Sequence, residues 1–341
     1  VWRFTVDIFT SSQLEQWIAD PNRKAATICS LDLRTYRAGL SQVHLSGCDF
    51  LGCEMDAGLD LQAQVQGATI IPRMFGLPFD PFRSTPYRVP DLYRGYVPGE
   101  PEAHKKTFDY ACYRWFMDDV THLPKPIGVA DQMRARLHDT SLEACLARFI
   151  GGSAKRVVGF MGGHDIWRDK PVFKTVASIA RRLAREGLLV SSGGGPGLME
   201  AANLGAFLAP YPDDALDAAL ATISQAPNFA ETDKWLAKGF EVRTRLLGSW
   251  DGQEKDQSFN IGVPTWLYGH EPPNVFATHS TKLFFNSLRE DGLVTIADAG
   301  LVFGRGNAGT VQEVFQDATQ NYYRPTGMAP TPMALLEKDF W

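Results

Sequence analysis

From Lys155 onward the chain alternates between two periods of apolar and polar positions. Short apolar runs bounded by glycine read as buried strands, and stretches with apolar residues three and four apart read as helices. Arg156–Met161 is the first such strand, ending at Gly162-Gly163. Pro171–Glu186 is predicted helical, with Val172, Val176, Ile179, Ala180 and Leu183 on one side and Gly187 as its stop. Leu188–Ser191 is the second strand, feeding a glycine loop and a helix that runs through Ala206. Further strands are expected at Ser258–Val263, Ala299–Phe303 and Met333–Leu336, with helices at Thr281–Leu288 and Thr310–Tyr322. In the last helix Val311, Val314, Phe315 and Ala318 are expected to be the buried stripe. This alternation predicts an α/β fold, a doubly wound, Rossmann-like parallel sheet covered on both faces. Residues 210–257 interrupt it with an acidic, partly helical insertion.

Upstream the pattern changes. Residues 1–127 are expected to form a smaller, mixed α/β domain, residues 128–150 a connecting helix, and residues 151–341 the Rossmann-like domain. In the connecting helix Met133, Leu137, Leu142 and Leu146 are spaced for one face. Short β-like runs occur at Ala26–Leu31 and Ala68–Pro72. Between Pro72 and Pro101, prolines 78, 81, 86 and 90 are interleaved with Phe79, Phe82, Tyr87, Tyr93 and Tyr96. Prolines at this density exclude a long helix or a central strand, and the aromatics argue for an ordered, packed loop.

Length and composition narrow the function classes. A chain of 341 residues, 44% hydrophobic and 21% charged, is large enough for two globular domains. A net charge of −5 without a long basic run speaks against a nucleic-acid surface. No apolar run reaches the roughly 18 residues of a membrane span. The five cysteines are odd in number and lack C-x-x-C spacing, which reads as a reduced, cytoplasmic protein with buried thiols. The seven histidines are scattered and Cys48 and Cys53 have no ligands clustered nearby, so neither a metal nor a cofactor is expected. The chain begins at Val1 without Met and stops just after an apolar stretch, as a partial chain would, and no cleavable signal is recognisable at its start.

The chemistry is carried by two glycine-rich loops, Ser192-Gly193-Gly194-Gly195-Pro196-Gly197-Leu198-Met199-Glu200 and Gly304-Arg305-Gly306-Asn307-Ala308-Gly309-Thr310-Val311-Gln312-Glu313. Each follows an apolar run and opens a helix, so each offers unpaired N–H groups and the positive end of a helix dipole to an anion. Dinucleotide binding is the obvious rival. Its fingerprint requires G-x-G-x-x-G after the first strand and an acid ending the second. Here the glycine run follows the second strand, has Leu198 at the last glycine position, and that strand ends in Ser191-Ser192.

Together the loops resemble those of the LOG family of lysine-decarboxylase-like proteins, phosphoribohydrolases that cut nucleoside 5′-monophosphates into free base and ribose 5-phosphate. Gly193–Met199 looks like the family's Gly-Gly-Gly-x-x-Gly-Leu-Met signature, and the continuation Glu200-Ala201-Ala202-Asn203 is similar to its larger bacterial nucleotide-nucleosidase branch. Arg305–Glu313 matches the Pro-Gly-Gly-x-Gly-Thr-x-x-Glu signature at Gly306, Gly309, Thr310 and Glu313. Met161-Gly162-Gly163 sits where the family has its first-strand ligand turn. The resemblance spans about residues 150–340. Arg305 stands where the family has Pro and Asn307 where it has its second Gly; Asn tolerates the left-handed conformation that glycine would supply. The resemblance implies a homodimer or higher homo-oligomer, and an Arg on the helix before the second loop. Arg289 and Lys282 compete for that position, and the spacing favours Arg289.

On this reading a nucleoside monophosphate or related phosphorylated ligand is the partner. The loop residues Gly162, Gly163, Gly193, Gly194, Gly195, Gly197, Met199, Gly306, Asn307, Ala308, Gly309 and Thr310 would bind it. Glu313 would stabilise an oxocarbenium-like sugar and handle the attacking water. The alternative for Thr310 and Glu313 is a capping box that merely starts the helix. Glu200 would bond a ribose hydroxyl or only favour the helix dipole. Arg289 would neutralise phosphate or polarise the departing base. A non-catalytic nucleotide sensor, motivated by Arg305 and Asn307, is the alternative function.

Overall fold

The computed structural model describes residues 5–267, 270–327 and 329–341 and divides the chain into two units. The first comprises Val1–Thr85 with Ala130–Cys145, and the second Pro86–Val129 with Leu146–Trp341. The Pro- and aromatic-rich stretch therefore splits between them, where the sequence reading keeps it whole within residues 1–127.

In the first unit short strands alternate with short helices. β1 (Val6–Ile8) leads into α1 (Ser11–Ala19), β2 (Ala26–Cys29) into α2 (Arg37–Leu40), and β3 (Asp49–Leu51) into α3 (Ala57–Val65) and β4 (Thr69–Ile71). The helix starts are written locally. Thr10 accepts from the Gln13 N–H at 3.3 Å while Gln13 Oε1 accepts from the Thr10 N–H at 3.2 Å, a capping box, and Asp56 caps α3 through the N–H groups of Gly58 and Leu59. The strands pair in the order β1-β2-β3-β4, all parallel. Its core is built on Ile8, Leu14, Trp17, Ile28, Phe50 and Leu59.

The second unit opens with α4 (Val89–Leu92) and α5 (Phe108–Phe116) and receives the end of α6 (Val129–Ser153), the expected connecting helix. On α6 Leu142 and Leu146 are buried, whereas Met133 is exposed and the buried face runs through Ala135, His138 and Asp139. There follow β5 (Val157–Met161), α7 (Pro171–Arg185), β6 (Leu189–Ser192), α8 (Leu198–Phe207), α9 (Asp214–Ile223), α10 (Thr232–Leu247), β7 (Ile261–Gly262), β8 (His279–Ser280), α11 (Asn286–Ile296), β9 (Gly300–Phe303), α12 (Ala308–Tyr322) and β10 (Met333–Leu335). The sheet order is β10-β9-β5-β6-β7-β8, every pair parallel, an α/β arrangement consistent with a Rossmann-like fold. Chain order runs outward from β5 to β8, then returns to the other side of β5 for β9 and β10. The reversal lies between β5 and β9, where such sheets open a crevice at their C-terminal edge.

Two expectations fail locally. Thr281–Leu288 is not one helix: Thr281 to Phe285 are non-helical after β8, and α11 begins only at Asn286. The stripe of α12 is inverted, since Val311 and Phe315 are 39% and 68% exposed while Thr310, Glu313 and Asp317 are buried. Residues 210–257 resolve into α9 and α10, and Tyr93 and Tyr96 of the aromatic stretch pack on Phe240 of α10 at ring distances of 5.2 and 4.8 Å. Among the described residues no helix is long and apolar enough to cross a membrane.

Candidate functional site

Three parallel strands, β9, β5 and β6, end side by side and release three turns at one edge of the sheet. Backbone hydrogen bonds tie these turns together. The Leu198 N–H at the end of the first glycine loop donates to Gly163 O at 3.1 Å, and the Gly163 N–H donates to Arg305 O of the second loop at 2.9 Å. The crossing needs glycine at 197. Its φ is +71°, and a β-carbon there would run into Gly163 O and the His164 backbone. Gly197→Ala is therefore expected to destabilise the protein by about 2 kcal/mol or more, read by urea unfolding. Unchanged stability would show that the crossing tolerates a side chain.

Between the turns lies a cavity of about 410 Å³. Of the residues expected there, Gly162, Gly163, Gly193, Gly195, Met199, Arg289, Asn307, Ala308, Gly309, Thr310 and Glu313 line it. Gly194, Gly197, Gly306 and Glu200 do not. The three glycines allow the backbones behind the wall to approach: a β-carbon on Gly194 would press on Gly262 and Pro264, and one on Gly306 would strike the Thr310 side chain.

Glu200 is a correction. It is fully buried and holds Arg168, whose Nε and Nη2 donate to its two oxygens at 2.9 and 2.5 Å. Arg168 Nη1 in turn donates to Ala226 O and Trp235 O, so the pair fastens α10 and the loop before it to the start of α8. A carboxylate already occupied by a guanidinium is not a ribose ligand. The first loop is supported from below by a buried amide network that sequence reading missed. Asn274 Nδ2 donates to Gly195 O at 3.0 Å and to Asn203 Oδ1 at 2.8 Å, and Ser192 Oγ accepts from the Gly194 N–H at 3.0 Å. The local hint is polarity at Ser192 and Asn203, within elements that are buried throughout.

At the second loop Asn307 is the N-cap of α12, with φ −92° and ψ −160°, extended rather than left-handed as its substitution for glycine suggests. The first intrahelical bond is Val311 N–H to Asn307 O at 3.2 Å, which leaves the N–H groups of Ala308, Gly309 and Thr310 without helical acceptors at the cavity wall. Because the cap lies at Asn307, Thr310 is inside the first turn and no capping box forms with Glu313. Glu313 is 5% exposed. Burial pushes its carboxyl up to about 7, with Arg289 pulling the other way and Glu290 adding to the rise.

Arg289 is half-buried at the cavity, anchored by its Nε to Val263 O at 3.0 Å. Its rival Lys282 is buried elsewhere: its ammonium pairs with Asp109 at 2.7 Å and donates to Glu271 O at 3.2 Å. Arg305 is likewise not in the wall; it pairs with Glu337 at 2.9 Å and lies over the Phe340 ring. Two wall residues outside the expected set are charged, Glu271 and Glu290, and His164 joins them from the turn after β5. Among the described residues no cluster of His, Cys, Asp and Glu is disposed to hold a metal ion.

This combination defines the second unit as a parallel α/β protein with a cleft at its strand-order reversal, walled by the start of α12 and by charged side chains of both signs. A scan against protein-family models finds no match, and no curated protein is significantly similar to the chain.

Proposed function

We propose that the cavity binds a nucleoside 5′-monophosphate and hydrolyses its N-glycosidic bond to free base and ribose 5-phosphate. The observation that carries this reading is the convergence of the free N–H groups of α12 and the buried carboxyl of Glu313 on one cavity. Its volume falls within the roughly 300–1,000 Å³ usual for small-molecule sites. The phosphate would sit on the N–H groups of Ala308–Thr310, where the helix dipole favours an anion, with the Arg289 guanidinium adding charge. Glu313, one turn further in, would face the sugar. A carboxyl that titrates near neutral pH is suited to take a proton from an attacking water. Its negative charge would also stabilise the positive charge building on the ribose. The resemblance of both loops to the LOG family supports the same reaction, a doubly wound sheet and assembly as a homodimer.

The test is incubation with each common nucleoside monophosphate and analysis for free base and ribose 5-phosphate. Turnover of at least one is expected. If folded protein cleaves none, the hydrolase reading falls; thermal stabilisation by a nucleotide recovered intact would instead establish a non-catalytic sensor.

A further inference from the structure

Glycosidic cleavage has two proton problems, one at the attacking water and one at the departing base, and Glu313 answers only the first. A second acid–base pair stands in the same wall. His164 Nδ1 lies 3.3 Å from Glu271 Oε1, and both side chains are partly open, at 44% and 29% exposure. The pair is built by different elements from those around Glu313. His164 is fixed by the crossing of the first glycine loop over its backbone, and its ring meets Phe229 edge-on at 5.9 Å. Glu271 is held by Lys282, which bonds its carbonyl while paired to buried Asp109. With Nδ1 facing a carboxylate, Nε2 is the ring nitrogen turned to a ligand. A carboxylate behind an imidazole fixes its orientation, so that Nε2 can be aimed at a departing group.

We infer that His164 is the general acid that protonates the leaving base, with Glu271 as its positioning residue; this rests on the hydrolase reading above. As the C1′–N bond breaks, its electron pair stays with the base, and the Nε2 proton of His164 is delivered to a nitrogen or oxygen of that base. Water adds to C1′ and its proton passes to Glu313. The products are neutral base and ribose 5-phosphate, and solvent returns the proton from Glu313 to His164.

The experiment compares leaving groups. An ordinary nucleotide from the panel needs protonation of its base. Nicotinamide mononucleotide and N7-methylguanosine 5′-monophosphate carry bases that are already cationic and leave without an added proton. His164→Asn is expected to lose about 100-fold or more in kcat on the ordinary nucleotide and less than about threefold on the cationic ones. Glu271→Gln should show the same contrast, smaller in size. Both side chains are partly exposed, so thermal unfolding should be unchanged. Equal losses on all three substrates, no loss on any, or a wild type that cleaves ordinary nucleotides and neither cationic one would overturn the inference while leaving the hydrolase reading standing. A wild type that cleaves none of them removes the hydrolase reading itself.

Discussion

Glu313→Gln is expected to lower nucleotide turnover by about 100-fold or more while making the protein more stable at alkaline pH. Both effects have one cause. Burial raises the Glu313 carboxyl from the ordinary 4.5 to about 7. A group whose folded value lies above its unfolded one contributes fully to stability below about pH 4.5 and loses that contribution as the pH rises through about 7. At about 1.36 kcal/mol per unit, ionising the buried carboxyl costs on the order of 3 kcal/mol at pH 8 and under about 1 kcal/mol at pH 5. Glutamine keeps the shape and cannot ionise, so urea unfolding of variant and wild type should nearly coincide at pH 5 and separate at pH 8, the variant being the more stable. A structural glutamate with a cationic partner would behave oppositely. If the carboxylate is the base, wild-type kcat on the cationic-base nucleotides, which need no acid, should also rise with pH through about 7. A variant that retains full activity removes Glu313 from the reaction, and one that is less stable at pH 8 contradicts the burial argument.

What could be read in the sequence follows from how local each signal is. Gly193–Gly197 and Gly306–Gly309 are legible because a strand end, a turn and a helix start lie within a few residues, and Gly162-Gly163 because it closes an apolar strand; the structure brings all three to one sheet edge. Glu271 has no such local mark; its pairing with His164 depends on two loops more than a hundred residues apart. α12 misleads because an apolar stripe is normally the core-facing one. Here Thr310 and Glu313 must face the cavity, which turns Val311 and Phe315 outward. The helix expected from Thr281 fails for a related reason: Lys282 reaches buried Asp109 from a non-helical segment, and helical periodicity does not register such a long-range pair. The two residues of β8 are too short to give any strand period. The boundary placed at residue 127 presumes that neighbours in sequence share a core, yet residues 86–129 group with the second unit, where Tyr93 and Tyr96 find Phe240.

Glu200→Ala is expected to cause the largest loss of stability, about 3–5 kcal/mol, a sizeable part of the roughly 5–15 kcal/mol that holds a domain folded. The side chains of Arg168 and Glu200 are 1% and 0% exposed, so the substitution leaves a guanidinium in the interior with no opposing charge. Its remaining bonds to Ala226 O and Trp235 O, and its place 4.3 Å over the Trp235 ring, supply dipoles and a π face but no negative charge. Urea unfolding of Arg168→Met, Glu200→Ala and the double variant measures the coupling. Because the double variant removes both charges together, it should lose about 1–3 kcal/mol less than the two single losses added. Additive losses would mean that the two groups do not depend on each other. A ribose-binding Glu200 would leave another signature, a raised KM with unfolding unchanged. The prediction bears on the site as well, since Glu200 sits in the first turn of α8 directly after the first glycine loop. Loosening that turn should move Gly193 and Gly195 in the cavity wall, so KM is expected to rise in the single variant as a consequence of lost stability, and to recover partly in the double variant as stability returns.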